Sequence, residues 1–429
     1  MSILRNNSVM AALLDAHLEA LSGEEALPPE RIIAAVAQGR MALLGNPAHA
    51  GLEPKLIGQP ARVKVNANIG TSPLRNVPRE EMRKLAAALE AGADTVMDLS
   101  IAGDLAGIRS AMLAACPRPL GTVPLYAVAQ RYLDAGEDPA GFSAKEILEE
   151  IAFQAGQGVD FMTVHCGVTA RAAAWAAEEG GRLLGIVSRG GSILARWMRS
   201  RGQENPFLTG YEQILDIARA HNVTLSLGDG LRPGAGADAG DAAQWEEVVT
   251  LGRLVRQGRA AGVQCMVEGP GHVPLHNVEA QIRGIKSACA GAPLYVLGPL
   301  VIDSCPGYDH IAGAIGGALA VRAGADFLCY LTPAEHLTLP DEADVRAGVM
   351  ASRIAAQAGE VALGRERAGA RETAMSTARR RLDWPAMQRA ALDPAAVCAR
   401  RAEHAEEEAC AMCGEFCAVK MLRAEPPRP

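Results

Sequence analysis

The chain has 429 residues, 49% of them hydrophobic and 21% charged, enough to bury a large core and too apolar for a disordered or fibrous protein. Its 42 basic and 49 acidic side chains give a formal charge of -7, which argues against nucleic acid or a membrane surface as a partner. Arg5, Asn6, Asn7, Asp15, His17 and Glu19 interrupt the apolar positions of the first turns, and the longest uncharged run, 287–302, is broken by Pro293 and Pro299; neither a signal peptide nor a spanning helix is expected, and the location is read as cytoplasmic.

In chain order, residues 1–60 are expected to form a helical N-terminal extension. Residues 61–383 are read as the catalytic domain, and 384–429 as a helical arm. Short, continuously apolar runs at 63–68, 95–99, 120–124, 160–165, 223–227, 263–268, 294–297 and 327–331 read as strands covered on both faces. Helical patterns lie between them at 79–90, 143–154, 241–259 and 341–358, and Ser143 with Glu146 forms a capping box. Eight β-then-α units predict a closed (β/α)8 TIM barrel, with a doubly wound open sheet as the competing architecture.

A barrel gathers its chemistry where strands end. Asn66 and Asn68 close the first expected strand, Met97 and Asp98 the second, and Tyr126 follows the third. His165 ends the fourth, Asp229-Gly230-Leu231-Arg232 follows the fifth, and Glu268 and His272 follow the sixth. One such end reads as an ordinary tight turn; six in succession, dense in glycine, read as a site. The segment GIVSRGGS (185–192) breaks the rhythm. Ser188, Arg189 and Gly190 at a helix start make either an anion cradle, with Arg232 as a second clamp, or a simple N-cap. Among the histidines, His272 and His336 are candidates for one metal, His336 being placed one turn into a helix opened by Pro333; His276 and His310 are the counter-candidates.

Ten cysteines without an export signal are expected as reduced thiols. Cys116, Cys166, Cys265, Cys289, Cys305, Cys329 and Cys398 lie singly and need no function. Cys410, Cys413 and Cys417 form a compact triplet. Three soft thiolates can hold an iron-sulfur cluster with one open iron; a zinc knuckle completed by His404, or three plain thiols, are the alternatives.

Seven segments carry a resemblance: KVNANIG (64–70), GADTVMDLS (92–100), IVSRGGSI (186–193), SLGDGLRPG (226–234), EGPGHVP (268–274), PGYDH (306–310) and TPAEHL (332–337). With the terminal cysteines, the chain resembles the phosphomethylpyrimidine synthase (ThiC) family of radical S-adenosyl-L-methionine enzymes. The resemblance implies that Cys410, Cys413 and Cys417 hold a 4Fe-4S cluster whose fourth iron chelates S-adenosyl-L-methionine. It implies conversion of aminoimidazole ribotide into hydroxymethylpyrimidine phosphate for thiamine, with a flavodoxin or ferredoxin as electron donor. Family contacts to the ribotide fall on Asn68, Met97, Tyr126, His165, Ser188, Arg189, Gly190, Asp229, Gly230, Leu231, Arg232, Glu268 and Tyr295, and a second metal, zinc or iron, falls on His272 and His336. The charged stretch 393–409 is the arm that in the family reaches a neighbouring subunit, which implies a homodimer with shared active sites. Larger bacterial members carry a further N-terminal domain, so a short form is expected, and they place four residues between the second and third cysteines where 414–416 are three. SIAG (100–103) and HCG (165–167) also differ from the usual Ser-Thr-Gly and His-Ala-Gly. These differences leave two other readings. One is the paralogous 5-hydroxybenzimidazole synthase of anaerobic cobamide biosynthesis, and the other is a noncatalytic ribotide- or zinc-binding protein.

Overall fold

The computed structural model describes residues 2–178 and 181–422. Eight parallel strands close into a barrel in chain order. They are β1 (Lys64–Ile69), β2 (Thr95–Asp98), β3 (Leu120–Thr122), β4 (Phe161–Val164), β5 (Thr224–Leu227), β6 (Cys265–Gly269), β7 (Leu294–Leu297) and β8 (Phe327–Cys329). β8 pairs back onto β1, with Phe327 opposite Lys64, which excludes the open sheet. Double burial accounts for the continuous apolar runs, because the inner face of each strand fills the barrel while helices cover the outer face. Phe327 of β8 meets Phe161 of β4 edge-on at 6.3 Å and stacks on Tyr295 of β7 at 4.3 Å. Strands four places apart touch only across the barrel interior.

Three even-numbered strands are entered by the same joint. Gly92, Gly158 and Gly324 end the preceding helices at positive φ (90°, 107° and 123°), a conformation that glycine adopts without a Cβ penalty. Two residues on, Asp94, Asp160 and Asp326 accept a backbone N–H from the start of the neighbouring strand. The donors are Val65 (2.9 Å), Leu120 (2.7 Å) and Leu294 (2.7 Å). Each carboxylate also has a cation: Arg62 at 2.5 Å, His49 at 2.7 Å and Lys286 at 2.6 Å. Before β6 the same place holds Gln264, whose amide reaches Thr224 Oγ1 at 3.3 Å.

The segment before the barrel closes this strand-start end. Helices Ile3–Asn6, Ser8–Glu25 and Pro29–Ala37 lead into a short antiparallel ribbon, Ala42–Leu44 with Lys55–Ile57. Met10, Leu14, Leu21, Ile32, Val36, Leu43 and Leu56 form its core. Glu25 Oε1 accepts from Lys64 Nζ at 2.7 Å with both side chains fully buried. His49 Nε2 faces the carbonyls of Leu113 (3.0 Å) and Cys116 (2.9 Å), which demands an N–H there. Its Nδ1 meets Asp160, whose oxygens also accept the amides of Asn46 and Leu120, and against the opposing pull of burial this carboxyl raises the pKa of His49.

Helices Pro78–Ala91, Ala144–Gln157, Ala242–Ala260 and Glu342–Ala362 stand where the sequence pattern places them, and the Ser143–Glu146 capping box is formed. Between β4 and β5 the chain inserts the helices Ala170–Ala177, Arg189–Arg201, Pro206–Thr209 and Tyr211–His221. The chain divides into two compact units, Met1–Gly359 and Glu360–Pro429, and the residues expected as a C-terminal arm lie in the second. Among the described residues no helix is long and apolar enough to cross a membrane.

Candidate active site at the barrel mouth

A cavity opens at the carboxyl ends of the strands. Asn68, Met97, Tyr126, His165, Asp229, Arg232, Glu268 and Tyr295 all line it. Polar residues on the strands hold these side chains in place. Thr163 on β4 and Ser226 on β5 both donate to Glu268 Oε1, at 2.7 and 2.8 Å. Asn66 on β1 donates to Asn68 Oδ1 at 2.7 Å and to Tyr295 OH at 2.8 Å. Tyr330 donates to the Asn68 carbonyl at 2.6 Å.

Ser188 caps the helix Arg189–Arg201 and accepts the Gly191 N–H at 3.2 Å. Glycine is required at positions 190 and 191. A Cβ on Gly190 would stand 2.2 Å from the His165 ring, and one on Gly191 would stand 2.1 Å from the Gly230 carbonyl. Without those side chains the helix start and the 229–232 turn pack backbone to backbone. Arg189 places its guanidinium 4.7 Å over the Tyr126 ring, and Arg232 Nη1 donates to Asp229 Oδ1 at 3.0 Å. Leu231 is buried and gives its N–H to Glu247 Oε2 at 2.8 Å. The candidate cradle therefore unites Ser188, Arg189, Gly190, Gly230, Leu231 and Arg232 at one edge of the cavity.

The charges here are poised and not cancelled. Burial pushes the Asp229 carboxyl up to about 7; Arg232 works against that rise and Glu268 adds to it. Glu268 is also raised, chiefly by burial, despite its two hydroxyl donors. Burial, reinforced by Arg232, lowers His165 to about 3, so its imidazole is neutral. Ser188 Oγ lies 3.4 Å from His165 Nε2, while the buried Nδ1 has no partner among the described residues.

An adjoining cavity shares Asn68, Leu99 and Leu297 with the first and is also lined by Lys84, Arg189, Thr332, Glu335 and His336. The His336 ring lies 5.3 Å from that of His272. Each ring has a carboxylate at Nδ1: Asp303 at 2.7 Å for His272 and Asp309 at 3.0 Å for His336. That leaves both Nε2 atoms as donors, so the pair fits a divalent metal. The helix expected around His336 is a single turn instead. Thr338 N–H bonds the Ala334 carbonyl and His336 is left-handed, at φ 60°. Pro340 then stops the turn from extending. His276 lies in the short turn Leu275–Asn277 and His310 in the helix Asp309–Ala323.

In the second unit, Arg401 stacks 3.9 Å over Trp384 and donates to the carbonyls of Glu407 (2.8 Å) and Ala409 (3.3 Å), fixing the chain just before Cys410. Gly414 at φ 52° turns the loop, with Phe416 N–H bonding Cys413 O and Cys417 N–H bonding Gly414 O. Cys410 and Cys413 are exposed and Cys417 is buried. Among the described residues no three His, Cys, Asp or Glu side chains are gathered for a metal ion, so the thiols share a loop without converging on a point. Their chemistry, three soft donors on one turn, fits an iron-sulfur cluster. Of the seven single cysteines, Cys116, Cys166, Cys265, Cys289 and Cys329 are buried, Cys305 is half-buried and Cys398 exposed.

Sequence reasoning missed Thr163, Ser226 and Glu247, which hold Glu268 and the 229–232 turn. The available signal for Thr163 and Ser226 was a polar residue within an apolar run; Glu247, beside Glu246 in a helix, left none.

The Radical SAM ThiC family model matches residues 6–424. Proteins named phosphomethylpyrimidine synthase are similar throughout. That of Desulfotalea psychrophila is 48% identical over 406 residues, 94% of this chain and 93% of its own. Those of Methanopyrus kandleri and Moorella thermoacetica are 49% and 50% identical, each match covering 94% of both chains. Fold and matches together define a radical S-adenosyl-L-methionine enzyme built on a (β/α)8 barrel. Within that class, the chain belongs to the ThiC family. The 5-hydroxybenzimidazole synthase alternative is not favoured by these relatives.

Proposed function

We propose that this enzyme converts aminoimidazole ribotide into hydroxymethylpyrimidine phosphate for thiamine, in the cytoplasm and as a homodimer with shared active sites. A low-potential protein such as a flavodoxin or ferredoxin would supply its electrons. The observation that carries the reading is the union, at one barrel mouth, of a phosphate-type cradle with a cavity lined by Asp229, Glu268 and an imidazole, His165, whose buried Nδ1 has no partner among the described residues. Cys410, Cys413 and Cys417 would hold a 4Fe-4S cluster that, with S-adenosyl-L-methionine, supplies hydrogen-atom abstraction after one-electron reduction. His272 and His336 would hold zinc or iron.

The chain's own residues do the rest. The backbone N–H of Gly190, the helix dipole, Arg189 and Arg232 anchor the ribotide phosphate. Tyr126, Met97 and Tyr295 wall the ring and ribose from water. That protects reactive intermediates from quenching. His165, neutral throughout the physiological range, offers its unpaired Nδ1 to the substrate. Asp229, near pKa 7, takes or releases a proton close to neutrality, while Glu268 is oriented by Thr163 and Ser226.

The decisive experiment is anaerobic turnover of aminoimidazole ribotide with S-adenosyl-L-methionine and a reductant, followed by mass spectrometry. Hydroxymethylpyrimidine phosphate is expected; 5-hydroxybenzimidazole overturns the assignment. Cys413→Ser is expected to abolish 5′-deoxyadenosine formation while ribotide binding, measured by calorimetry, is unchanged.

A further inference from the structure

Two side chains outside the substrate cavity stand in equivalent relations to the two metal-candidate imidazoles. Asp303, on the segment after β7, presents Oδ1 to His272 Nδ1 at 2.7 Å. Asp309, which opens the helix Asp309–Ala323, presents Oδ1 to His336 Nδ1 at 3.0 Å. A carboxylate at Nδ1 fixes the proton there, orients the ring and raises the basicity of Nε2. We infer that Asp303 and Asp309 are the positioning residues of a two-histidine divalent-metal site, each holding one imidazole so that both Nε2 atoms are presented as ligands. The inference rests on the reading of His272 and His336 as metal ligands and deepens it.

Three further observations support preorganisation. His336 is held at φ 60°, a backbone conformation that costs a non-glycine residue of the order of 1 kcal/mol and persists where surroundings enforce it. Asp309 is buried, and its second oxygen accepts the Gly307 N–H at 3.2 Å, so the carboxylate is itself fixed. Asp303 Oδ2 accepts the Gly236 N–H at 2.8 Å, and the His272 N–H bonds the Pro233 carbonyl at 3.3 Å. Gly236 and Pro233 follow directly on the 229–232 turn that carries Asp229 and Arg232. Asp303 thus ties the His272 imidazole to the loop that lines the substrate cavity. Among the described residues two protein nitrogens are presented, which leaves the remaining coordination positions to water or a bound ligand, unlike a closed structural site.

The test is zinc affinity, measured by competition with a chromophoric chelator, on full-length protein in which Cys410, Cys413 and Cys417 are all serine so that the terminal thiols take no zinc. The parent is expected to bind one zinc, and His272→Ala or His336→Ala to lose it. Asp303→Asn and Asp303→Ala are expected to weaken binding roughly 10- to 100-fold, at an unchanged melting temperature because Asp303 is exposed. Asp309→Asn is expected to weaken it at least as much; if that variant fails to fold, the Asp303 pair decides alone. A parent that binds no zinc, or a His272→Ala protein that binds as tightly, overturns the metal reading itself. A parent that binds while the Asp303 variants bind equally well overturns the positioning role and leaves the metal reading standing.

Discussion

The two ends of the barrel treat buried charge in opposite ways. At the strand starts, Asp94, Asp160 and Asp326 are saturated, each with a cation and at least one backbone N–H, and Lys64 is buried against Glu25. At the mouth, among the described residues, His165 Nδ1, Glu247 Oε1 and Thr332 Oγ1 are buried without partners. An unsatisfied buried polar group costs stability, so the mouth is held in place by the investment made below it. The comparison separates residues that keep the fold from residues that wait for a ligand.

The largest effect expected from breaking this contrast is at Asp160. Asp160→Ala removes the carboxylate from His49 Nδ1 and frees the buried amides of Asn46 and Leu120, for a loss of about 3–5 kcal/mol in urea unfolding. A small loss would remove the strand-start end from its role as anchor.

A smaller effect, of opposite sign in two variants, is expected from pH. His165 is near 3 in the folded chain against 6.5 unfolded, so the folded state binds fewer protons between those values and stability rises with pH across them. Asp229 is near 7 against 3.8, so the folded state binds more protons in that window and stability falls as pH rises. The slopes, each up to about 1.4 kcal/mol per pH unit, oppose one another between about pH 4 and 6.5. His165→Gln is expected to lose stability with rising pH over that range, and Asp229→Asn to gain it. Urea midpoints at a series of pH values that stay parallel to the parent in both variants would contradict the poised mouth.

The smallest effect is expected at Arg75, whose 2.6 Å pair with Glu80 is exposed. Arg75→Ala should shift the urea midpoint too little to resolve. A clear shift there would show that charge pairing stabilises wherever it occurs, and that the contrast between the two ends is unimportant.

Much of this was legible in the sequence because double burial leaves a coarse mark. All eight strands lie within two residues of their apolar runs, and the glycine-dense ends led to Asp229 and Glu268, while Ser188 stood out because its segment breaks the strand-then-helix rhythm. The ribbon Ala42–Leu44 with Lys55–Ile57 escaped because three-residue strands show no period. Pro333 and Ala334 favour a helix at His336 in the sequence; the left-handed backbone that His336 adopts has no compositional signal. Glu247, Thr163 and Ser226 act through contacts made across strands and helices, which spacing along the chain does not report.

The glycine-to-aspartate joints have a consequence for how the barrel counts. They stand before β2, β4 and β8, with Gln264 in the corresponding place before β6, and each reaches back to the odd strand preceding it. The ring is therefore latched as four two-stranded staves, each with one lock between its members. A slip of one residue in any even strand would pull an aspartate, or the amide of Gln264, from its fitted partner. The stagger of the whole ring is thereby checked at four separate points around its circumference, and a folding chain that errs at one stave meets the error there.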